Sequence, residues 1–279
     1  MARLSISQAW DESRQILSRE GGLLSAVALA LVALPMAIFV AFVPGGVLSA
    51  LTMAAQGSSG HALGQIALFL VFLLGQLSVT RLALGPSVSV GGAIAAASRR
   101  APSYIGAALI IGIAIMIGIF AISILVVLAA QPASQEAFAK SPAMMVTLVA
   151  ICGLYLFMFA RVISVAPAVA TSEPDLGPIG IIRRSWSLTG GHFWRIAGFL
   201  VLFFVATSIA MAAIGLAIGS AVEIAFGDID PMSASALVVG LVEGLATAVI
   251  TVTLMVMLAR IYVQLAGGAV SPSVPSSGT

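Results

Sequence analysis

Charge is scarce in this chain: of 279 residues, 8% are Asp, Glu, Lys or Arg and 61% are hydrophobic. A soluble protein of that composition lacks the polar surface to cover its exterior. The mean hydropathy of +1.17 agrees. The formal net charge is +2, and no basic cluster is interleaved with stacking aromatics, so no nucleic-acid partner is expected. The single cysteine, Cys152, excludes a disulfide framework or a cysteine-based metal site within the chain. Inside a hydrophobic run it reads as a buried apolar side chain. The two histidines, His61 and His192, fall on opposite sides of the expected topology and cannot share a metal. No Gly-rich phosphate loop, serine elbow or HExxH occurs. The acid pairs Asp11-Glu12 and Asp228/Asp230 have no nearby His or Lys. The expectation is a non-enzyme with no catalytic residue, metal or cofactor. The polar first twenty residues hold no cleavable leader pattern, so the first span is expected to remain in the mature chain.

Long apolar runs fill the rest. Six of them reach the ~20 residues needed to cross hydrocarbon, over residues 23–43, 63–84, 104–130, 143–165, 193–222 and 234–265. None alternates as barrel strands do. The predicted fold is an all-α integral membrane protein: one six-span domain over 1–265 and a disordered Ser/Pro tail over 266–279. Pro35 is expected to kink the first span.

All eleven arginines fall on one side of this topology: Arg3, Arg14, Arg19, Arg81, Arg99, Arg100, Arg161, Arg183, Arg184, Arg195 and Arg260. The opposite loops carry Lys140 as their one cation, with Glu136, Asp228 and Asp230. The positive-inside rule then places both termini in the cytoplasm, in a multi-pass protein of the inner (cytoplasmic) membrane. The chain also reads as three pseudo-repeats, over about 4–84, 88–165 and 175–265. Each is a cytoplasmic amphipathic helix plus a helical hairpin. The repeats open on L-S-I-S-Q-A-W, V-S-V-G-G-A-I and D-L-G-P-I-G-I-I, with Ser5 and Gln8 as a candidate capping box. Each closes on a small residue, an arginine and an aliphatic, which brings up Arg81, Arg161 and Arg260 as a set at one mouth or as three snorkelling side chains.

The longest polar interruption runs from Glu173 to Arg195. Gly177 and Pro178 open a helix there. Ile179, Ile182 and Trp186 form an apolar stripe, with Arg183 and Arg184 largely off it, and Gly190-Gly191 ends it. Trp194-Arg195 then opens the next span at headgroup level. The pattern suits an interfacial anchor, or a grip on a phosphate-bearing headgroup.

Arg161, Pro167, Glu173, Gly177-Pro178-Ile179, the run R-R-S-W-S-L-T-G from Arg183, and Trp194-Arg195 together resemble the signature of the glycerophosphoryl diester phosphodiesterase membrane-domain family. The positions carrying the match are Arg161, Pro167, Glu173, Gly177, Pro178, Arg184, Ser185, Trp186, Gly190, Trp194 and Arg195. The resemblance implies a stand-alone six-span membrane module, since the soluble catalytic domain of the fused proteins has no counterpart in this chain.

Within the spans, Gly215 and Gly219 on the fifth and Gly240 and Gly244 on the sixth are spaced to face one another across the last hairpin. Glu243 and Gln65 are intramembrane polar groups; a charge at Glu243 costs about 2.5–3.5 kcal/mol on insertion scales, so a neutral, paired or water-facing acid is expected. Two functions remain open. One is a membrane scaffold or lipid-associated module whose face of Arg81, Arg161, Glu173, Arg183, Arg184, Trp186, Trp194, Arg195 and Arg260 engages membrane lipids, anionic phospholipid among them, a protein partner or a second copy. The other is a small transporter or flippase with a polar path through Glu243.

Overall fold

A computed structural model describes residues 4–42, 59–85, 89–131, 138, 141–227 and 233–267. Arg3, Glu136, Lys140, Asp228, Asp230 and the residues beyond 267 lie outside the described residues. The described residues form helices: α1 (Ile6–Ala28), α2 (Leu34–Phe42), α3 (Ser59–Leu84), α4 (Val90–Ala130), α5 (Pro142–Met158), α6 (Ala166–Ser172), α7 (Pro178–Thr189), α8 (Phe193–Phe226) and α9 (Ala234–Leu265). Two π turns, Leu29–Ala33 and Phe159–Ile163, join α1 to α2 and follow α5. Six helices are long and apolar enough to cross a membrane: Ile6–Phe39, Ala67–Leu84, Val90–Ala130, Pro142–Ser172, Phe193–Phe226 and Ala234–Leu265. The chain is a multi-pass helical membrane protein.

The first two expected surface helices are not separate elements. Ser5 caps α1, accepting from the Gln8 N–H at 3.3 Å; Gln8 turns its amide to Glu12 instead of back to Ser5. The Ser5 N–H goes to Gln264 Oε1 at 2.9 Å, tying the start of the chain to the end of α9. From that cap α1 runs unbroken through Gly21-Gly22 into the membrane-grade segment. Ser89 likewise caps α4, and its 41 residues continue past Pro102. At ~1.5 Å per residue α4 is about 60 Å long, twice a hydrocarbon core, so its front projects well beyond the apolar zone. Only the third segment, α7, stands apart, because the turn around Gly190 and Gly191 separates it from α8.

Pro35 bends the first span through a π turn. Proline has no N–H to offer the Leu31 carbonyl, and the turn before it widens so that Leu34 N–H reaches Leu29 O five residues back. Two glycines flank the widened turn. A Cβ on Gly75 of α3 would lie 3.1 Å from the Leu31 oxygen, and one on Gly244 of α9 would lie 2.5 Å from the Ala33 oxygen. Only residues without a side chain allow backbones this close.

The expected pairing of Gly215 and Gly219 with Gly244 and Gly240 is therefore not what forms. Gly244 is spent on the first span; a Cβ on Gly219 would meet no atom within 4 Å. Gly215 instead faces the Glu243 side chain, its would-be Cβ 3.7 Å from Oε1. Gly240, buried one turn before Gly244, lies on the same face of α9. The kinked first span offers a crevice of backbone, which rewards small residues on the helix packed against it.

α9 is the axis of the fold and packs against α1, α2, α3 and α8. Its Val252, Val256, Met257 and Ile261 join Leu24, Val27, Val32, Val79 and Leu82 in the main core. A second core gathers Leu77, Tyr104, Val169, Ile181 and Tyr262 around α6, which is buried along most of its length. Cys152, expected inside, faces outward on α5. The outward faces of α4, α5 and α8 are apolar, as a span bordered by lipid requires.

Candidate functional site

The polar segments of every span meet at one end of the bundle. The start of α1, the end of α3, the start of α4, the stretch from Arg161 to Arg195, and the end of α9 are joined there by long-range hydrogen bonds. Sequence reasoning placed the arginines on one side, and this end is where those among the described residues gather.

At its centre is Glu173, just past α6. Its Oε1 accepts from Arg184 Nε at 2.9 Å and from the Tyr262 hydroxyl at 3.2 Å. The same turn offers the Pro174 carbonyl to Arg100 Nη1. Four parts of the chain, α4, α6, α7 and α9, are thus knotted around one turn. A carboxylate already holding a guanidinium and a phenol is a structural acceptor.

Arg161 lies in the second π turn, where Ser164 N–H donates to Phe159 O at 2.9 Å. The turn precedes Pro167, as the first π turn precedes Pro35. Its guanidinium carbon lies 4.7 Å from the centroid of Trp186, a cation–π contact. Phe157 meets the edge of Trp186 and packs on Phe193, which in turn touches Trp194. Thr189 Oγ1 donates to the Arg161 carbonyl at 2.7 Å, clamping the end of α7 onto the π turn. Arg161 Nη1, Ser185 Oγ and His192 Nδ1 are buried without a hydrogen-bond partner.

α7 turns Ile181, Ser185 and Thr189 inward. The stripe of Ile179 and Trp186 is exposed, Ile179 at 72%, with exposed Arg183 beside it. Pro178 packs so tightly on α4 that a Cβ on Gly106 would lie 2.8 Å from its Cγ. Trp194, 83% exposed, continues the outward face at the start of α8.

Two further arginines are held separately. Arg195 Nη1 donates to the Leu4 carbonyl at 3.0 Å, and Arg260 Nη2 donates to the Ala83 carbonyl at the end of α3. Arg81 is half-buried near that same helix end. Arg161 and Arg260 therefore have different partners, one an indole and the other a helix terminus. Glu243 lies half-buried in α9 against Gly215, and Gln65 lies on α3.

Sequence reasoning missed Tyr262, Arg100, Phe157 and Thr189. Tyr262 is 89 residues from its carboxylate partner, so no local pattern announces it. The π turn was closer to legible, since in both cases a proline follows within a few residues.

A family model for a domain of unknown function, DUF7847, matches residues 4–265. The chain belongs to the DUF7847 family. No curated protein and no solved structure matches it. The match spans all six membrane-grade helices of this DUF7847 domain together with the polar end just described.

Proposed function

We infer that the protein is a non-catalytic module of the inner (cytoplasmic) membrane whose arginine-bearing end lies in the cytoplasm and engages lipid headgroups, anionic phospholipid included. The observation that carries this reading is the outward face of α7 and the start of α8: Ile179, Trp186 and Trp194 exposed beside Arg183. Apolar and indole side chains next to a free guanidinium suit the boundary between acyl chains and headgroups. Arg100, Arg161, Arg184, Arg195 and Arg260 are engaged by the protein itself and set the shape of the face, while Arg183, exposed beside Ile179 and Trp186, is placed to meet lipid. The orientation rests on the charge asymmetry between the two sides.

Native mass spectrometry of the full chain with phosphatidylglycerol tests this. An Arg183→Gln/Trp194→Ala variant should retain about fivefold less of that lipid, the worth of roughly 1 kcal/mol per arginine near an anionic surface. Equal retention by wild type and variant would sink the reading. A second reading, a small transporter, is favoured by one observation, the Glu243 carboxyl lying between spans five and six against Gly215. Liposome flux lost in Glu243→Gln would support it.

A further inference from the structure

α1, the last turn of α3 and the end of α9 enclose a pocket of about 460 Å³. Its charged lining is Glu12, Arg19, Glu20 and Arg260, and residues 82–85 form one wall. That wall is a helix C-terminus, whose last carbonyls have no partner within the helix and carry the negative end of its dipole. Arg260 caps it through the Ala83 carbonyl, while its own Nε is buried with no acceptor. Glu12 and Glu20 are both within electrostatic reach of that guanidinium. Even so, the one ion pair among the described residues lies elsewhere, between Arg184 and Glu173. Glu12 holds only the neutral Gln8 amide, at 2.8 Å.

Opposite charges thus line this pocket without closing on each other. A simple anion would meet two carboxylates and a row of carbonyls; a simple cation would meet two guanidiniums. A ligand carrying both signs satisfies all of them: a primary ammonium for Glu12, Glu20 and the free carbonyls, and a phosphate for the Arg19 and Arg260 guanidiniums. The pocket lies where spans one, two and six pass from apolar to polar sequence, the level of lipid headgroups. We propose that it binds the headgroup of a zwitterionic amino-phospholipid, ammonium toward Glu12 and Glu20 and phosphate toward Arg19 and Arg260. This rests on the reading of the arginine end as a headgroup-level face, and it adds a second lipid class at a place separate from α7.

The test is native mass spectrometry of the full chain with phosphatidylethanolamine, phosphatidylcholine or phosphatidylglycerol, and with free phosphoethanolamine as competitor. Phosphatidylcholine carries the same phosphate but no ammonium N–H. Wild type should retain phosphatidylethanolamine about tenfold over phosphatidylcholine, the difference of roughly one charge-assisted hydrogen bond. Glu12→Gln/Glu20→Gln should bring the two lipids to parity with an unchanged melting temperature. Arg19→Gln, on an exposed side chain, should lower both together. Parity of the two lipids in wild type, or a preference that survives the double variant, overturns the proposal. Free phosphoethanolamine displacing the lipid at equal concentration overturns the lipid assignment. Preference for phosphatidylethanolamine without any retention of phosphatidylglycerol would sink the α7 face and leave this pocket standing; the converse would sink the pocket alone.

Discussion

Spans one, two and six differ from spans three, four and five in what covers them. In the first trio 39–44% of the most apolar window is buried against protein; in the second trio the share is 6–11%. Yet the two most hydropathic windows are outer ones, span three at 3.0 and span five at 2.5, while span four at 2.3 falls just below span one at 2.4. High hydropathy thus accompanies sparse cover by protein in spans three and five. The inner helices carry small and kinked positions, Pro35, Gly75 and Gly244, which cost apolar surface but let backbones approach. The outer helices carry bulky aliphatics that meet acyl chains, and the arginine end is one of the places where they are held to the bundle. There, Glu173, Arg184 and Tyr262 tie α6 and α7 to the central α9.

The sharpest way to break that comparison is at glycine. Gly244→Ala drives a methyl into the Ala33 carbonyl and should destabilise the protein by about 3 kcal/mol, read as a large fall in melting temperature in detergent. Gly219→Ala on the outer span meets open space and should be neutral or slightly stabilising, since alanine is favoured over glycine in a helix by up to ~1 kcal/mol. Equal effects at the two sites would erase the distinction between the trios.

A smaller effect is expected at the knot that joins them. Tyr262→Phe removes one hydrogen bond to Glu173 and should cost about 1 kcal/mol. Arg184→Ala should cost less, because its side chain is 43% exposed and such pairs contribute roughly 0.2–1 kcal/mol. Both changes should loosen α7 as seen by hydrogen exchange while leaving the α1–α9 core protected; a uniform loss would mean that the outer trio is not separately tethered. The smallest effect belongs to the lipid-facing surface. Leu125→Ala, at an exposed position on α4, should change the melting free energy by less than about 0.5 kcal/mol.

Six spans, their approximate limits and the gathering of arginines at one end were legible because each depends on local composition. Ser5 and Ser89 could be read as helix starts for the same reason, since a hydroxyl three residues before an unpaired N–H is a local signal. The fate of those helices was not, because nothing near Gly21-Gly22 or Pro102 says whether a tertiary neighbour will hold the rod straight. The glycine spacing on spans five and six was visible, but its partner was not: the receptive backbone belonged to the first span, some 200 residues away in the chain. At the candidate site, Arg161, Glu173, Arg184 and Trp186 were all singled out. Their contacts with one another and with Tyr262 emerged only in three dimensions.

The sequence by itself determined that this chain is a bundle of membrane-grade helices with guanidinium groups crowded at one end, because transfer of apolar and charged side chains is decided residue by residue. Tertiary structure alone decided which helices form the interior, which glycine meets which carbonyl, and that unpaired charges of both signs from α1 and α9 line one pocket. Those outcomes depend on backbone approach between segments far apart in the chain, and no local pattern encodes that distance.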